Sequence, residues 1–264
     1  MKALVCTAFG GIENLRIEPR EDPVPADGEV LVQVKAAGIN FPDLLMVAGK
    51  YQVKTPPPFI PGGETAGIVE AVGPGVQRLK VGDRVIATPI LGGFAEKCVL
   101  PEALCLPLPD SMNFEQGAGF TVTYATSYHA LRQSTRLREG ETILVLGAAG
   151  GVGITAVEIA RSLGATVIAA ASSEDKLEFA REAGANHGIN YSDTDLREAV
   201  RELTGGRGVD VVYDPVGGDL AQAALKSHAL PNQPSVAMPR RSASIRASRR
   251  RPFLRGTRPR TMPL

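Results

Sequence analysis

A chain of 264 residues that is 44% hydrophobic and 22% charged has the balance of a globular protein, with length for one large or two ordinary domains. No apolar run reaches the ~18–20 residues a membrane span needs, and the short apolar stretch after Met1 reads as a first strand rather than a signal peptide. The formal charge of +1 hides an asymmetry: nine of the 29 basic residues and none of the 28 acidic ones fall in 227–264, so an acidic body of net −8 carries a basic tail.

Residues 1–125 alternate short β-type runs with turns rich in Gly and Pro. Glu29–Ala36, Gly67–Val72 and Asp83–Ala87 have the period-two alternation of half-buried strands. Turns at Pro25–Gly28, Gly73–Gly75 and Val81–Asp83 separate them, which predicts a mostly β domain. From about residue 126 the rhythm becomes strand, helix, strand, helix. Expected strands are Glu141–Leu146, Thr166–Ala170, a short one near Gly188–Asn190, and Val209–Tyr213. Expected helices are Gly151–Leu163, Ser173–Ala183 and Asp195–Leu203. Such a βαβ series implies an α/β fold with a parallel sheet over 126–226. The three cysteines, Cys6, Cys98 and Cys105, have the spacing of neither a disulfide framework nor a metal cluster. That points to a reducing compartment and a cytoplasmic protein.

The turn after Glu141–Leu146 reads Gly147-Ala148-Ala149-Gly150-Gly151-Val152-Gly153. It fits the dinucleotide fingerprint G-x-G-x-x-G with alanine in its first slot. Residues without bulky side chains let the backbone approach a pyrophosphate, and the N–H groups opening the next helix bind it. Ala149, Gly150, Gly151, Val152 and Gly153 are therefore candidate cofactor-binding residues. The other reading is a tight helix entry with no ligand. An NAD site places a carboxylate about 20 residues past the motif to hold the ribose 2′-hydroxyl. Here that region is Ala170-Ala171-Ser172-Ser173. Ser172 and Ser173 can donate to a 2′-phosphate and Lys176 can neutralise it, which favours NADPH. Alternatively Ser172 is a helix N-cap and Lys176 a solvated lysine. His129 and His187 have no visible carboxylate or nucleophile partner and read as structural.

Four stretches together resemble the quinone oxidoreductase branch of the medium-chain dehydrogenase/reductase superfamily. They are Ala37–Asp43, Pro61–Gly73 continuing to Lys80–Val85, Val122–Thr126, and Ala148–Gly153 with Tyr213–Gly217. The resemblance covers residues 1–226. It implies a GroES-like β domain over 1–125 and a Rossmann domain over 126–226, incomplete at its C-terminal side, with NADPH as cofactor. Zinc members of the superfamily carry Gly-His-Glu where this chain has Gly62-Gly63-Glu64, and a catalytic cysteine where it has Asn40. A zinc ion needs three or four N, S or O ligands, so no metal site is expected. The activity implied is zinc-independent hydride transfer from NADPH to a quinone or α,β-unsaturated carbonyl. Such an acceptor needs positioning and a hydrogen-bond donor more than a metal. By the same resemblance Asn40 and Tyr51 face nicotinamide and acceptor, Thr126 lies along the cofactor, and Lys176 and Tyr191 hold the 2′-phosphate. Without it, Asn40 reads as a turn residue and Tyr51 as a half-buried aromatic.

After Lys226 the resemblance stops. Residues 227–264 hold six prolines and nine arginines with little periodicity, and are expected to be disordered. The change of composition has the look of out-of-frame translation. The parallel sheet is then expected to have order 3-2-1-4, with Val209–Tyr213 as an open edge and without the strand through which family members dimerise. A small-molecule electron acceptor is the expected partner, with no membrane. Two alternatives stand beside the enzyme reading. One is a catalytically impaired remnant with at most partial dinucleotide binding. The other, ranked below it, is nucleic-acid binding through the tail, which has only Phe253 as an interleaved aromatic.

Overall fold

The computed structural model describes residues 1–52, 54–227 and, as backbone, 246–249. The chain divides into two compact units, Met1–Ala125 and Thr126–Leu264. No helix among the described residues is long and apolar enough to cross a membrane.

The first unit is built on antiparallel strands. β1 (Lys2–Cys6) and β2 (Leu15–Pro19) form a hairpin pair. β3 (Glu29–Ala37) is followed by α1 (Phe41–Val47), β4 (Thr65–Val72), β5 (Arg84–Ala87), β6 (Lys97–Pro101) and β7 (Cys105–Pro107), then the short α2 (Phe114–Ala118). The five strands form an antiparallel sheet of order β6-β3-β4-β5-β7. Its period-two pattern puts Val30, Val32, Val69, Val85, Ala87, Cys98, Leu100 and Cys105 into one core. The other face buries Ala66 and Ile86 against Leu108 and Ala118, with α2 packed there. The sequence pattern did not announce α1, which has Pro42 in its first turn and is only two turns long.

The second unit opens within α3 (Thr121–Tyr128) and proceeds through β8 (Thr142–Leu146), α4 (Gly151–Ser162), β9 (Thr166–Ala171), α5 (Glu174–Glu182), β10 (His187–Asn190), α6 (Leu196–Leu203), β11 (Val211–Asp214) and α7 (Gly218–Lys226). β10, β9, β8 and β11 pair in parallel in that spatial order, the expected 3-2-1-4 arrangement. Alternate side chains feed two cores. Ile143, Val145, Val167, Ala169, Val211 and Tyr213 pack with Ala156, Val157 and Ala160 of α4 and Leu177 of α5. Leu144, Leu146, Ile168, Ala170 and Val212 pack with Leu196 and Val200 of α6 and Ala224 of α7. Burial on both faces explains why Ile143–Leu146 is a continuous apolar run.

Two expectations about the end of the sheet differ from the structure. The fourth strand is Val211–Asp214 rather than Val209–Tyr213. The Asp210 carboxylate accepts the Thr142 N–H at 2.8 Å, which anchors the approach to the strand. The edge of β11 is also not open. β12 (Arg246–Arg249) pairs with it antiparallel, Val211 opposite Arg249 and Asp214 opposite Arg246. A free row of strand N–H and C=O groups accepts any extended backbone without asking for hydrophobic alternation, so side-chain pattern could not foretell this pairing. Ser227 belongs to the ordered body as the C-cap of α7, its hydroxyl donating to the Ala223 carbonyl at 3.0 Å. The rest of the expected disordered tail, 228–245 and 250–264, lies outside the described residues.

Candidate functional site

The glycine-rich turn leaves β8 with Gly147 in the left-handed region at φ +59. The Gly150 N–H donates to the Gly147 carbonyl at 2.9 Å, and Gly150 then serves as N-cap of α4 with no side chain capping the helix. N–H groups at the start of α4 are therefore left to an external acceptor. Gly153 allows the close packing of helix on turn: a Cβ there would stand 2.1 Å from the Gly147 carbonyl oxygen. These features surround a cavity of about 390 Å³ lined by Gly147, Ala149, Gly150, Val152, Gly153, Ala171, Ser172, Lys176, Tyr191, Pro215 and Val216.

At the β9 end of this cavity the Lys176 ammonium donates to Ser172 Oγ at 2.8 Å. The loop is pinned by Ser192 Oγ donating to the Ser172 carbonyl at 3.0 Å and by the Tyr191 N–H donating to the Ala171 carbonyl at 3.1 Å. No carboxylate lines the cavity: Glu174 pairs with Arg181 at 3.3 Å instead. The N-cap of α5 is Ser173, not Ser172, and its side chain makes no capping bond. This frees the Ser172 hydroxyl to meet Lys176. Of the residues expected to bind cofactor, Ala149, Gly150, Val152, Gly153, Ser172, Lys176 and Tyr191 line the one cavity. Gly151 and Ser173 flank it without lining it. A backbone donor array beside a lysine and a serine fits the phosphates of a dinucleotide.

Sequence reasoning had not singled out the opposite wall as a site. Asp214, at the end of β11 and 5% exposed, accepts the N–H groups of Val216 and Gly217 through Oδ1 at 2.9 and 2.8 Å. That turns the chain so that Pro215 and Val216 face the cavity. The signal was available: an Asp-Pro-Val-Gly run directly after an apolar strand is a turn whose first residue can bond the backbone ahead of it.

In the first unit, Asn40 is the N-cap of α1. Its backbone N–H donates to Asp43 Oδ2 at 2.7 Å and its side-chain amide donates to Glu64 Oε2 at 3.1 Å. Glu64 Oε1 accepts the Val122 N–H at 2.9 Å. Both acids are buried, Asp43 at 4% and Glu64 at 0% exposure. Burial pushes the Asp43 carboxyl above its usual range against the pull of the Asn40, Gly63 and Gly62 N–H groups. It pushes Glu64 up likewise, opposed by the bonds from Val122, Asn40 and Thr121 and reinforced by the nearby charge of Asp43. Neither acid was a sequence candidate. Tyr51 is half-buried, with its N–H on the Leu45 carbonyl at 3.1 Å. Thr126 is half-buried on α3, one residue before the fully buried Ser127.

A zinc ion does not fit these residues. Gly63 has no donor, the Asn40 amide is turned as a hydrogen-bond donor to Glu64, and both Glu64 oxygens are engaged. Among the described residues no three His, Cys, Asp or Glu side chains gather as a ligand set.

Two family models match the chain: an alcohol dehydrogenase GroES-like domain over residues 26–110 and a zinc-binding dehydrogenase over 151–230. The synaptic vesicle membrane protein VAT-1 homolog of Rattus norvegicus is 38% identical over 220 residues, covering 83% of this chain and 54% of that protein. The chain thus spans about half the length of this curated relative. The quinone oxidoreductase of Pseudomonas aeruginosa is 42% identical over 228 residues, covering 85% of this chain and 69% of that protein. Among solved structures, Escherichia coli quinone oxidoreductase complexed with NADPH superposes with a TM-score of 0.82 at 36% identity, covering 86% of this chain and 70% of the other.

Proposed function

We propose, because the chain belongs to the medium-chain dehydrogenase/reductase superfamily with quinone oxidoreductases among its relatives, that it is a cytoplasmic NADPH-dependent reductase of quinones or α,β-unsaturated carbonyls that works without zinc. The observation that carries the cofactor reading is the cavity at the start of α4, with Lys176 on Ser172 at 2.8 Å and no carboxylate in its lining. A carboxylate there would favour NADH through the ribose hydroxyl and repel a 2′-phosphate, whereas a lysine and a serine do the reverse.

When bound, NADPH supplies the hydride. This chain's own residues have simpler tasks. The free N–H groups of the first turn of α4 receive the pyrophosphate, and Gly153 keeps that turn close to β8. Lys176, Ser172 and Tyr191 receive the 2′-phosphate, with Ser173 and Gly151 as backbone neighbours. Asn40, its side chain oriented by Glu64, offers an amide to nicotinamide and acceptor, Tyr51 faces them as well, and Thr126 lies along the cofactor. These last three roles rest on the family resemblance. Zinc independence is supported by the donor set: Asn40 and Gly63 stand where zinc relatives carry ligands.

The test has two stages. Titration with NADPH and NADH, followed by cofactor fluorescence, should give tighter NADPH binding. NADPH consumption should then depend on an added quinone. Preference for NADH would overturn the cofactor reading. One equivalent of zinc by elemental analysis after gel filtration would overturn the metal-free reading.

A further inference from the structure

The two sides of the cavity are held by different means. The α4 side is a helix start packed on a strand. The other side is a short loop after β11, and a single buried carboxylate organises it. Asp214 Oδ1 takes both the Val216 N–H and the Gly217 N–H. Gly217 has φ +78 and opens α7 as its N-cap, so these bonds set where the helix begins and where Val216 points. Val216 is 49% exposed, yet its Cγ2 lies 2.8 Å from the place a Cβ on Gly147 would occupy. The Val216 side chain therefore overhangs Gly147 of the glycine-rich turn, and a side chain at 147 would collide with it.

We infer that Asp214 is a positioning residue for dinucleotide binding: it holds Pro215 and Val216 against the glycine-rich turn and so sets the width of the cavity there. The inference rests on reading that cavity as the NADPH site. A carboxylate is not required for its charge. An oxygen on a short side chain that accepts two successive N–H groups is what the loop needs, and asparagine can supply one. Alanine cannot. Its loss would leave two N–H groups without a partner and free the loop to move off Gly147. Because Asp214 acts on the wall formed by Pro215 and Val216, it should not affect the Lys176 end of the cavity.

The experiment compares NADPH, NADH and the fragment 2′-phospho-AMP, which lacks the nicotinamide and its ribose. Asp214→Ala should weaken NADPH and NADH alike, by about tenfold, and leave 2′-phospho-AMP unchanged. Asp214→Asn should restore both dinucleotides. Lys176→Ala should give the opposite pattern, weakening NADPH and the fragment but sparing NADH. Val216→Gly, which keeps the Asp214 bonds but removes the overhang, should copy Asp214→Ala and serves if that variant does not fold. Unchanged NADPH affinity in Asp214→Ala or Val216→Gly would overturn the inference. So would parallel loss of the fragment, which would mean that the carboxylate supports the fold at large. If the unsubstituted chain binds no NADPH, the cofactor reading itself fails, a result distinct from either.

Discussion

The hydroxyl of Tyr213 lies 2.9 Å from Ser127 Oγ, and both side chains are fully buried. Ser127 Oγ also meets Thr155 Oγ1 at 2.9 Å and the Val152 carbonyl at 2.8 Å. One serine on α3 thereby ties β11 to the first turn of α4, directly behind the cavity. Burial pushes the Tyr213 hydroxyl up to about 12, with the Ser127 bond pulling the other way. The network is unequal. Tyr213→Phe leaves Ser127 two other partners and should cost about 1 kcal/mol, whereas Ser127→Ala strands a buried phenol and should cost about 1–3 kcal/mol. Urea unfolding of the two variants and their double mutant measures the difference. Equal losses would show that the serine is not the hub.

Gly153→Ala should be far worse than its one added methyl suggests. The new Cβ would meet backbone, the Gly147 carbonyl oxygen at 2.1 Å, and backbone cannot rotate away as a side chain can. The expected cost is about 3 kcal/mol or more, with loss of NADPH binding as α4 shifts. For stability alone, Gly150→Ala is the milder comparison, since its Cβ would be 3.3 Å from the same oxygen. A thermal transition of Gly153→Ala equal to that of the unsubstituted chain would refute the packing argument.

Lys176→Ala should weaken NADPH by roughly tenfold to a hundredfold, the worth of a charge-assisted phosphate contact, and leave NADH nearly unchanged. The motive is the lysine–serine pair at 2.8 Å in a cavity lining that lacks a carboxylate. Equal weakening of both cofactors would show that Lys176 does not read the 2′-phosphate.

Glu64 makes stability depend on pH in the sense opposite to a salt-bridged acid. Its folded carboxyl is raised, chiefly by burial, so the folded state holds the proton more tightly than the unfolded chain does. The contribution is fully present below the ordinary glutamate value of ~4.3 and is lost as pH rises through the raised folded value. Asp43 acts in the same direction. Glu64→Gln should flatten this fall between acid and neutral pH. Urea midpoints measured across that range test it, and an unaltered slope in the variant would place the effect elsewhere. After the same substitution the backbone N–H of Val122 cannot invert and keeps the carbonyl oxygen of the introduced amide, so the new N–H₂ faces Asn40, which must turn its amide over to accept it. Turnover with quinone should fall while NADPH affinity holds.

The parallel strands and the glycine-rich turn could be read along the chain because their causes are local, whereas the strand order followed from the family resemblance. Apolar strands alternate with amphipathic helices, and glycines stand where a helix must start close to a strand. The choice of Ser172 and Lys176 followed from the absence of a carboxylate at the end of β9. What sequence alone could not supply were contacts between residues far apart in the chain or without periodicity. Asn40 and Glu64 are 24 positions apart and meet because β3 and β4 pair and α1 begins where β3 ends. Ser127 and Tyr213, 86 positions apart, meet only when α3 packs behind the sheet. β12 pairs through backbone groups that every residue type possesses, so its arginines gave no sign of it. Local pattern determined the alternating strands and helices of the second unit and the cofactor turn. Which buried polar groups would hold the site's side chains was decided by tertiary packing, because a buried donor or acceptor takes the partner that the fold brings within about 3 Å, wherever it lies in the chain.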